Sequence, residues 1–357
     1  MAAARNWMSI LFLPFHRASV FEKPKLRLIV LIALCAVTWS TPARAAAAEA
    51  EFFDGKTITY IVSTDPGGGY DTYGRMLAGH IQKYIPGARV LVRNVPGAGQ
   101  IIGANTIYAS RPDGLTFGIF NTGMIYGQLL GLEGIGFDLR EMSWIGSLAA
   151  EGRALMVSAR SGIQDLRDMQ TSQAEILMAS AGLGSSSYVE TKILQSALGL
   201  NVRIISGMLG GDTQLSMLRG EIAGTLNAAS SHDDFVSRGD GKYILSISGG
   251  ESNLPGVPQA RDLVSDSDAL RLLNLVETVG DLGRLTVGPP DIPQRRLAYL
   301  RSAFSQAASD RELLAQAQSL NIPISPTEGA MVESKMRAVL DQPPELIDEL
   351  KRVVYGE

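Results

Sequence analysis

The clearest pattern of apolar and polar positions runs from Thr57 to Arg75. Thr57 to Ser63 alternates β-branched and aromatic residues and predicts a strand. Asp65-Pro66 ends it, and Gly67, Gly68 and Gly69 supply a tight turn with φ > 0. Tyr73, Leu77, Ile81 and Tyr84 then recur at helical spacing, which predicts a helix from about Tyr70. A glycine turn between a strand and a helix aims free N–H groups and the positive helix end at one point. That point suits an anion, although glycine also serves packing in such turns.

The same order repeats twice. Ala88 to Arg93 reads as a strand, Asn94 to Gly99 (NVPGAG) as a loop and Gln100 to Ala109 as a helix. Thr116 to Phe120 is a third strand, and Asn121, Thr122 and Gly123 form a third turn. Gly97-x-Gly99-x-x-x-Gly103 imitates a dinucleotide fingerprint, but no acidic or basic residue follows where the ribose would need one. A nucleotide cofactor is therefore not expected. Three strand–turn–helix units imply a parallel sheet with all three turns on its carboxyl edge, the usual place for a ligand.

From Trp144 to Ala159 two apolar runs, broken by Glu151-Gly152-Arg153, lead toward a second lobe. There Glu175 to Ala179 is a strand, Ser180 to Ser187 (SAGLGSSS) a turn and Tyr188 to Ala197 a helix. Val202 to Ile205 is a strand, Gly207 to Asp212 a glycine turn and Gln214 to Arg219 a short helix. Ile222 to Leu226 follows, ending at the candidate residue Asn227. Hydroxyls at Ser185, Ser186 and Ser187 can cap a helix or meet a ligand oxygen, and Asp212 reads most simply as a cap. Arg284 to Gly288 reads as a strand returning to the first lobe. Helices are expected over Pro293 to Ser305, Asp310 to Gln318, Glu328 to Leu340 and Pro344 to Val354. Arg153 and Arg284 lie near the two crossings, where structural ion pairs are the simpler use and contact with a carboxylate the alternative.

The first 45 residues change the picture. Lys23, Lys25 and Arg27 precede an apolar run from Leu28 to Trp39, and Ala43-Arg44-Ala45 offers small residues to a signal peptidase. Residues 1–45 are read as a secretory leader, cleaved after Ala45; the run is short for a membrane span, and an uncleaved anchor is the alternative. The long stretch ahead of Lys23 is consistent with a start site placed too far upstream. With the leader set aside, 26 Lys and Arg stand against 35 Asp and Glu, a net charge of −9. That balance excludes nucleic acid and acidic membrane surfaces as partners by bulk charge. The single cysteine, Cys35, is in the leader, and only His80 and His232 remain of the histidines. Thiolate chemistry is thus absent, and a zinc site or a serine–histidine triad has little to draw on.

DPGGGYD, NVPGAG with RPDGLTFGI, SAGLGSSS with GGDTQLSMLRGEIAG, and LTVGPPDIPQRRLAYLRSAFSQAASDREL together resemble the periplasmic substrate-binding proteins of tripartite tricarboxylate transporters, the Bug family. The resemblance spans Gly55 to Val354. It implies an α/β, two-lobed Venus-flytrap (type II-like) fold with two mixed, mostly parallel sheets. By that likeness residues 54–150 and 283–357 form lobe 1, and residues 151–282 form lobe 2. The implied function is capture of a small organic carboxylate by lobe closure, without cofactor, metal or catalysis, and delivery to membrane permease subunits by a periplasmic monomer. Carried over by position, the first-lobe grip falls on Gly67, Gly68, Gly69, Tyr70 and Asp71, with Pro96, Gly97, Ala98 and Gly99. The second-lobe set is Ser180, Gly182, Gly184, Ser185 and Ser186, with Gly210, Gly211 and Asp212. To these the strand ends add Asn121, Thr122 and Asn227.

Two departures from the family pattern concern ligand identity. Ser206-Gly207-Met208-Leu209-Gly210 replaces an aromatic-Lys-Gly turn, and Tyr188 stands where a histidine often follows the serine turn. A sensory module that docks on a signalling receptor shares the fold and is distinguished only by its partner. A secreted hydrolase would need a nucleophile, base and orienting group, and neither histidine lies in a glycine turn.

Overall fold

The computed structural model describes residues 42–150, 152–208, 210–247 and 254–356, with side chains from residue 46 onward. Most of the expected leader lies outside the described residues. The first helix, α1 (Pro42–Phe53), runs across the expected cleavage point. Its far end is anchored, because Phe53 is buried against the Tyr299 ring and Glu49 accepts from Arg296 Nε at 2.9 Å.

The first sheet is built from β1 (Thr57–Val62), β2 (Arg89–Asn94), β3 (Thr116–Ile119), β4 (Met142–Ser147), β10 (Leu285–Pro290) and β11 (Thr327–Glu328), in the order β11-β4-β10-β3-β1-β2. Strands β2, β1 and β3 are parallel, with Val62 opposite both Asn94 and Ile119. Strand β10 enters antiparallel between β3 and β4. The second sheet holds β5 (Arg153–Ser158), β6 (Ile176–Ser180), β7 (Val202–Ser206), β8 (Gly224–Ala228) and β9 (Gly241–Ile247), in the order β7-β6-β8-β5-β9. Here β7, β6 and β8 are parallel and β5 is antiparallel to both neighbours. Both sheets are mixed, as expected. The break at residues 151–153 separates β4 from β5, which belong to different sheets and are buried along their whole length. Such continuous apolar runs are what a strand covered on both faces requires.

Helices α2 (Gly69–Ile81), α3 (Ile101–Tyr108) and α4 (Gly123–Leu130) follow the first three strands. In the second half come α5 (Leu166–Thr171), α6 (Ser186–Leu198), α7 (Gly210–Arg219), α8 (Asp233–Ser237) and α9 (Ser267–Gly280). The chain closes with α10 (Gln294–Ala308), α11 (Arg311–Ser319), α12 (Gly329–Leu340) and α13 (Pro344–Tyr355). Gly131 and Gly199, both left-handed, end α4 and α6 as such caps do. Asp310 caps α11 through the N–H groups of Glu312 and Leu313.

One apolar core joins Phe120 after β3 and Trp144 on β4 to Leu155 on β5, Val189 on α6 and Leu350 on α13. A second packs Phe53, Tyr60, Leu77 and Phe304 between α1, α2 and α10. Helix α13 rests on α6, α9 and α4, so the last helix of the return segment reaches the second sheet's side of the molecule.

Candidate functional site

The carboxyl ends of β2, β1 and β3 carry the three predicted turns, and those of β7, β6 and β8 carry the second set. The two sets meet at one point. Thr122 Oγ1 lies 3.1 Å from Ser186 Oγ, both buried. A Cβ on Gly123 would sit 2.9 Å from the Ser186 N and 3.2 Å from the Gly184 carbonyl, so α4 begins directly against the serine turn.

In the first loop Gly67 and Gly68 stand at φ 85 and φ 92, which only glycine adopts readily. Asp71, third residue of α2, reaches back under this loop. Its Oδ2 accepts the Gly67 N–H at 2.9 Å and Arg75 Nε at 2.8 Å, while Oδ1 accepts Asn94 Nδ2 at 2.9 Å. Burial raises the Asp71 pKa, but the hydrogen bonds from Arg75, Gly67 and Asn94 outweigh it and hold the carboxyl below its usual range. Asp71 thus organises the loop from beneath, and the Gly67 amide is already engaged. Gly69 opens the helix, and behind it lies the Arg284 guanidinium, 4.3 Å from the Tyr70 ring centre and 4.6 Å from that of Tyr73.

The second loop is the most unusual stretch of backbone. Gly97, Ala98, Gly99 and Gln100 have φ of 125, 46, 63 and 84, four successive left-handed residues of which two carry side chains. The two with side chains, Ala98 and Gln100, cost about 1–3 kcal/mol each in that region and persist where the surroundings hold them. Part of that hold is visible: Gln100 Oε1 accepts the Asn121 N–H at 2.9 Å, tying the second loop to the third turn. Asn121 Oδ1 in turn accepts the Gly123 N–H at 2.7 Å. Pro96 precedes the run and fixes its entry.

In the serine turn the hydroxyls chiefly organise the turn. Ser185 is the N-cap of α6, donating to the Gly182 carbonyl at 2.7 Å and accepting the Tyr188 N–H. Ser187 Oγ accepts the Ala181 N–H at 3.0 Å, and Ser180 and Ser206 hydroxyls pair at 3.2 Å. Gly182 and Gly184 are left-handed, and between them Leu183 is 72% exposed. Asn227 turns its side-chain oxygen onto the next backbone N–H, that of Ala228. Asp212 departs from expectation: α7 begins at Gly210, so Asp212 lies exposed in the first turn and is not the residue before it. Gly210, at φ 46, starts the helix where a side chain would be strained, and an acid in the first turn still matches the helix dipole.

Beneath the meeting point lies a buried polar cluster. Arg153, 2% exposed, donates Nε to Glu190 Oε2 at 2.6 Å, and Tyr126 OH donates to Glu190 Oε1 at 3.3 Å. Arg153 therefore takes the structural role, spanning β5 to α6. Burial and then the Glu190 charge push the Tyr126 hydroxyl well above its usual pKa. His232 is 4% exposed, and burial followed by the Arg153 charge lowers it to about 4. Among the described residues neither histidine ring bonds a serine: His80 pairs with Gln316, and His232 has no hydrogen-bond partner. His80, Asp310 and Glu312 bring ligand atoms within 4.8 Å of one another. The Lys83 ammonium already lies 3.1 Å from Asp310 and 2.6 Å from Glu312, supplying the cation that cluster needs.

Two mixed α/β sheets with facing carboxyl edges and two chain crossings define a periplasmic solute-binding protein fold. The profile described as tripartite tricarboxylate transporter family receptor matches residues 74–310, and the chain belongs to that family. A protein of Pseudomonas sp. strain P51, encoded in the tcbD-tcbE intergenic region, is 29% identical over 183 residues; the match covers 50% of this chain and spans about half, 52%, of that relative. The structure of the periplasmic binding protein BugD superposes with a TM-score of 0.68 at 18% identity, over 84% of this chain and 97% of BugD. MatC from Rhodopseudomonas palustris with bound malate gives 0.65 at 19% identity, over 84% of this chain and 99% of MatC. Among the described residues no helix is long and apolar enough to cross a membrane.

Proposed function

We propose that the protein is the solute receptor of a tripartite tricarboxylate transporter and closes on a small organic carboxylate between the two sheets. The observation that carries this reading is the convergence of three helix-opening turns, one a left-handed run of four residues, on the edge that faces the serine turn. Amides held in such strained turns favour a negatively charged oxygen. Gly68, Gly69, Tyr70, Pro96, Gly97, Ala98 and Gly99 form the anion side, with Asp71 holding the loop. Ser180, Gly182, Gly184, Ser185, Gly210 and Gly211 form the opposing side, while Thr122 and Ser186 mark where the sides touch. Residues 54–150 and 283–357 would move as one lobe and 151–282 as the other. The binding of malate by MatC makes dicarboxylates the first ligands to try.

The protein would be exported, cleaved after Ala45, work as a periplasmic monomer and deliver its ligand to permease subunits without transforming it. A thermal-shift screen of purified residues 46–357 against small carboxylates tests the central point. A ligand that binds only the folded state must raise its apparent stability. At least one carboxylate is expected to do so and to be recovered unchanged. No response to any carboxylate would remove the receptor reading, and a ligand-derived product would remove the claim that no reaction occurs.

A further inference from the structure

The serine turn spends its hydroxyls on itself. Ser185 Oγ donates to the Gly182 carbonyl, Ser187 Oγ accepts the Ala181 N–H, and the Ser180 and Ser206 hydroxyls pair with each other. Ser186 is buried against Thr122. The side chain that the turn presents outward is Leu183, the one exposed residue among those described between Ser180 and Glu190. A lone exposed leucine is ordinary on a protein surface. This one is set apart by where it is held. The next residue, Gly184, is clamped, because a Cβ there would collide with Leu132 Cδ1, and its carbonyl lies 3.2 Å from a Cβ built on Gly123 of the opposing edge. Leu183 therefore projects from a braced turn, one residue from the point where the two edges meet. On the first edge the exposed side chain of Ile102 lies against Gly97, where a Cβ would stand 2.6 Å from Ile102 Cδ1. Each edge thus brings an aliphatic side chain to its turns.

Charge on the second edge points the same way. The turns that end β6, β7 and β8 hold no lysine or arginine within residues 180–190, 204–212 or 227–237. The charged side chain of the glycine turn is Asp212, an exposed acid. Arg153 gives its Nε to Glu190, and burial keeps His232 uncharged at neutral pH. A second carboxylate at the far end of a ligand would lose water there without gaining a cation, which is unfavourable. A hydrocarbon tail would instead cover Leu183 and gain by it. We propose that Leu183 is the specificity-determining residue of the second edge and selects an organic monocarboxylate with an apolar tail. This rests on the carboxylate-receptor reading above and narrows it: the carboxylate end goes to the turns of the first sheet and the hydrocarbon end to Leu183.

The test sets hexanoate against adipate, acids of equal chain length that differ only in carrying a methyl group or a second carboxylate at the far end. Wild-type protein should bind hexanoate at least about tenfold more tightly than adipate. Leu183→Ala should raise the hexanoate Kd about five- to twentyfold, the loss of roughly one to two buried methylene groups, and leave the adipate Kd where it was. Leu183→Lys should weaken hexanoate and admit adipate. Because the side chain is exposed, both variants should keep the wild-type Tm, which separates a change in affinity from a defect in folding. Adipate or malate bound by wild-type protein as tightly as hexanoate, or a hexanoate Kd unmoved by Leu183→Ala, overturns the proposal and leaves the receptor reading in place. Wild-type protein indifferent to hexanoate, adipate and malate alike would instead remove the receptor reading itself.

Discussion

At Gly99 the backbone lies at φ 63 and ψ 26, a basin that asparagine enters at modest cost and β-branched residues avoid. No atom lies within 4 Å of a Cβ built there, so conformation and not space is the constraint. Gly99→Asn should keep both Tm and carboxylate affinity close to wild type. Gly99→Val should fold, lose about 1–3 kcal/mol of stability, and bind at least tenfold more weakly as the loop leaves its left-handed run. Wild-type affinity in folded Gly99→Val protein would take this loop out of the site. His232 gives a prediction of the opposite kind, about the proton. Its folded pKa, about 4, lies below the ordinary 6.5, so the unfolded chain binds the proton more readily. Stability is full above pH 6.5 and falls as the pH drops toward 4, by up to about 3 kcal/mol. His232→Leu should flatten that part of the stability curve in urea titrations; an unaltered slope would mean that the ring is hydrated.

At the scale of elements, Glu190 joins α6 to β5 through Arg153 and to α4 through Tyr126. Glu190→Gln removes the carboxylate charge that Arg153 Nε meets in the interior and should cost about 3–5 kcal/mol, as broken buried pairs do. A loss under 1 kcal/mol by denaturant unfolding would show that water reaches the pair. The elements that positioned the site were legible because their cues are local. Strand β1 alternates, PGGG and NVPGAG punctuate, and Tyr73, Leu77 and Ile81 all turn inward on α2. Strand β9 and helix α9 have no counterpart among the expected elements, although Asp266 caps α9 and its apolar stripe at Leu272, Leu273, Val276 and Val279 is plain. Asp212 misled because a proline-free glycine pair leaves the first helical residue undecided. What could not be read is non-local. Arg284 meets Tyr70 and Tyr73 from the far end of the chain, and the Gln100–Asn121 strut joins two loops that no sequence window contains. The left-handed φ of Ala98 and Gln100 leaves no trace in their identities.

For the whole molecule, the insertion of β10 between β3 and β4 fixes an order of assembly. The second sheet draws all its strands from one continuous stretch, residues 153–247. The first cannot join β4 to β3 until residues 285–290 arrive, because β10 is the strand between them. Contacts that span so much chain carry the larger loop-closure entropy and form late. A chain folding amino end first would therefore expose β1 to β3 as a half-sheet with an open edge while the second sheet is already settling. Such an edge invites pairing with other chains. Pulsed hydrogen exchange on refolding protein should therefore protect β5, β6 and β8 before β3 and β4. Simultaneous protection of both sheets would argue against it. The strand that joins the two parts of the first sheet is thus also the one that closes the open edge of β3 as the chain folds.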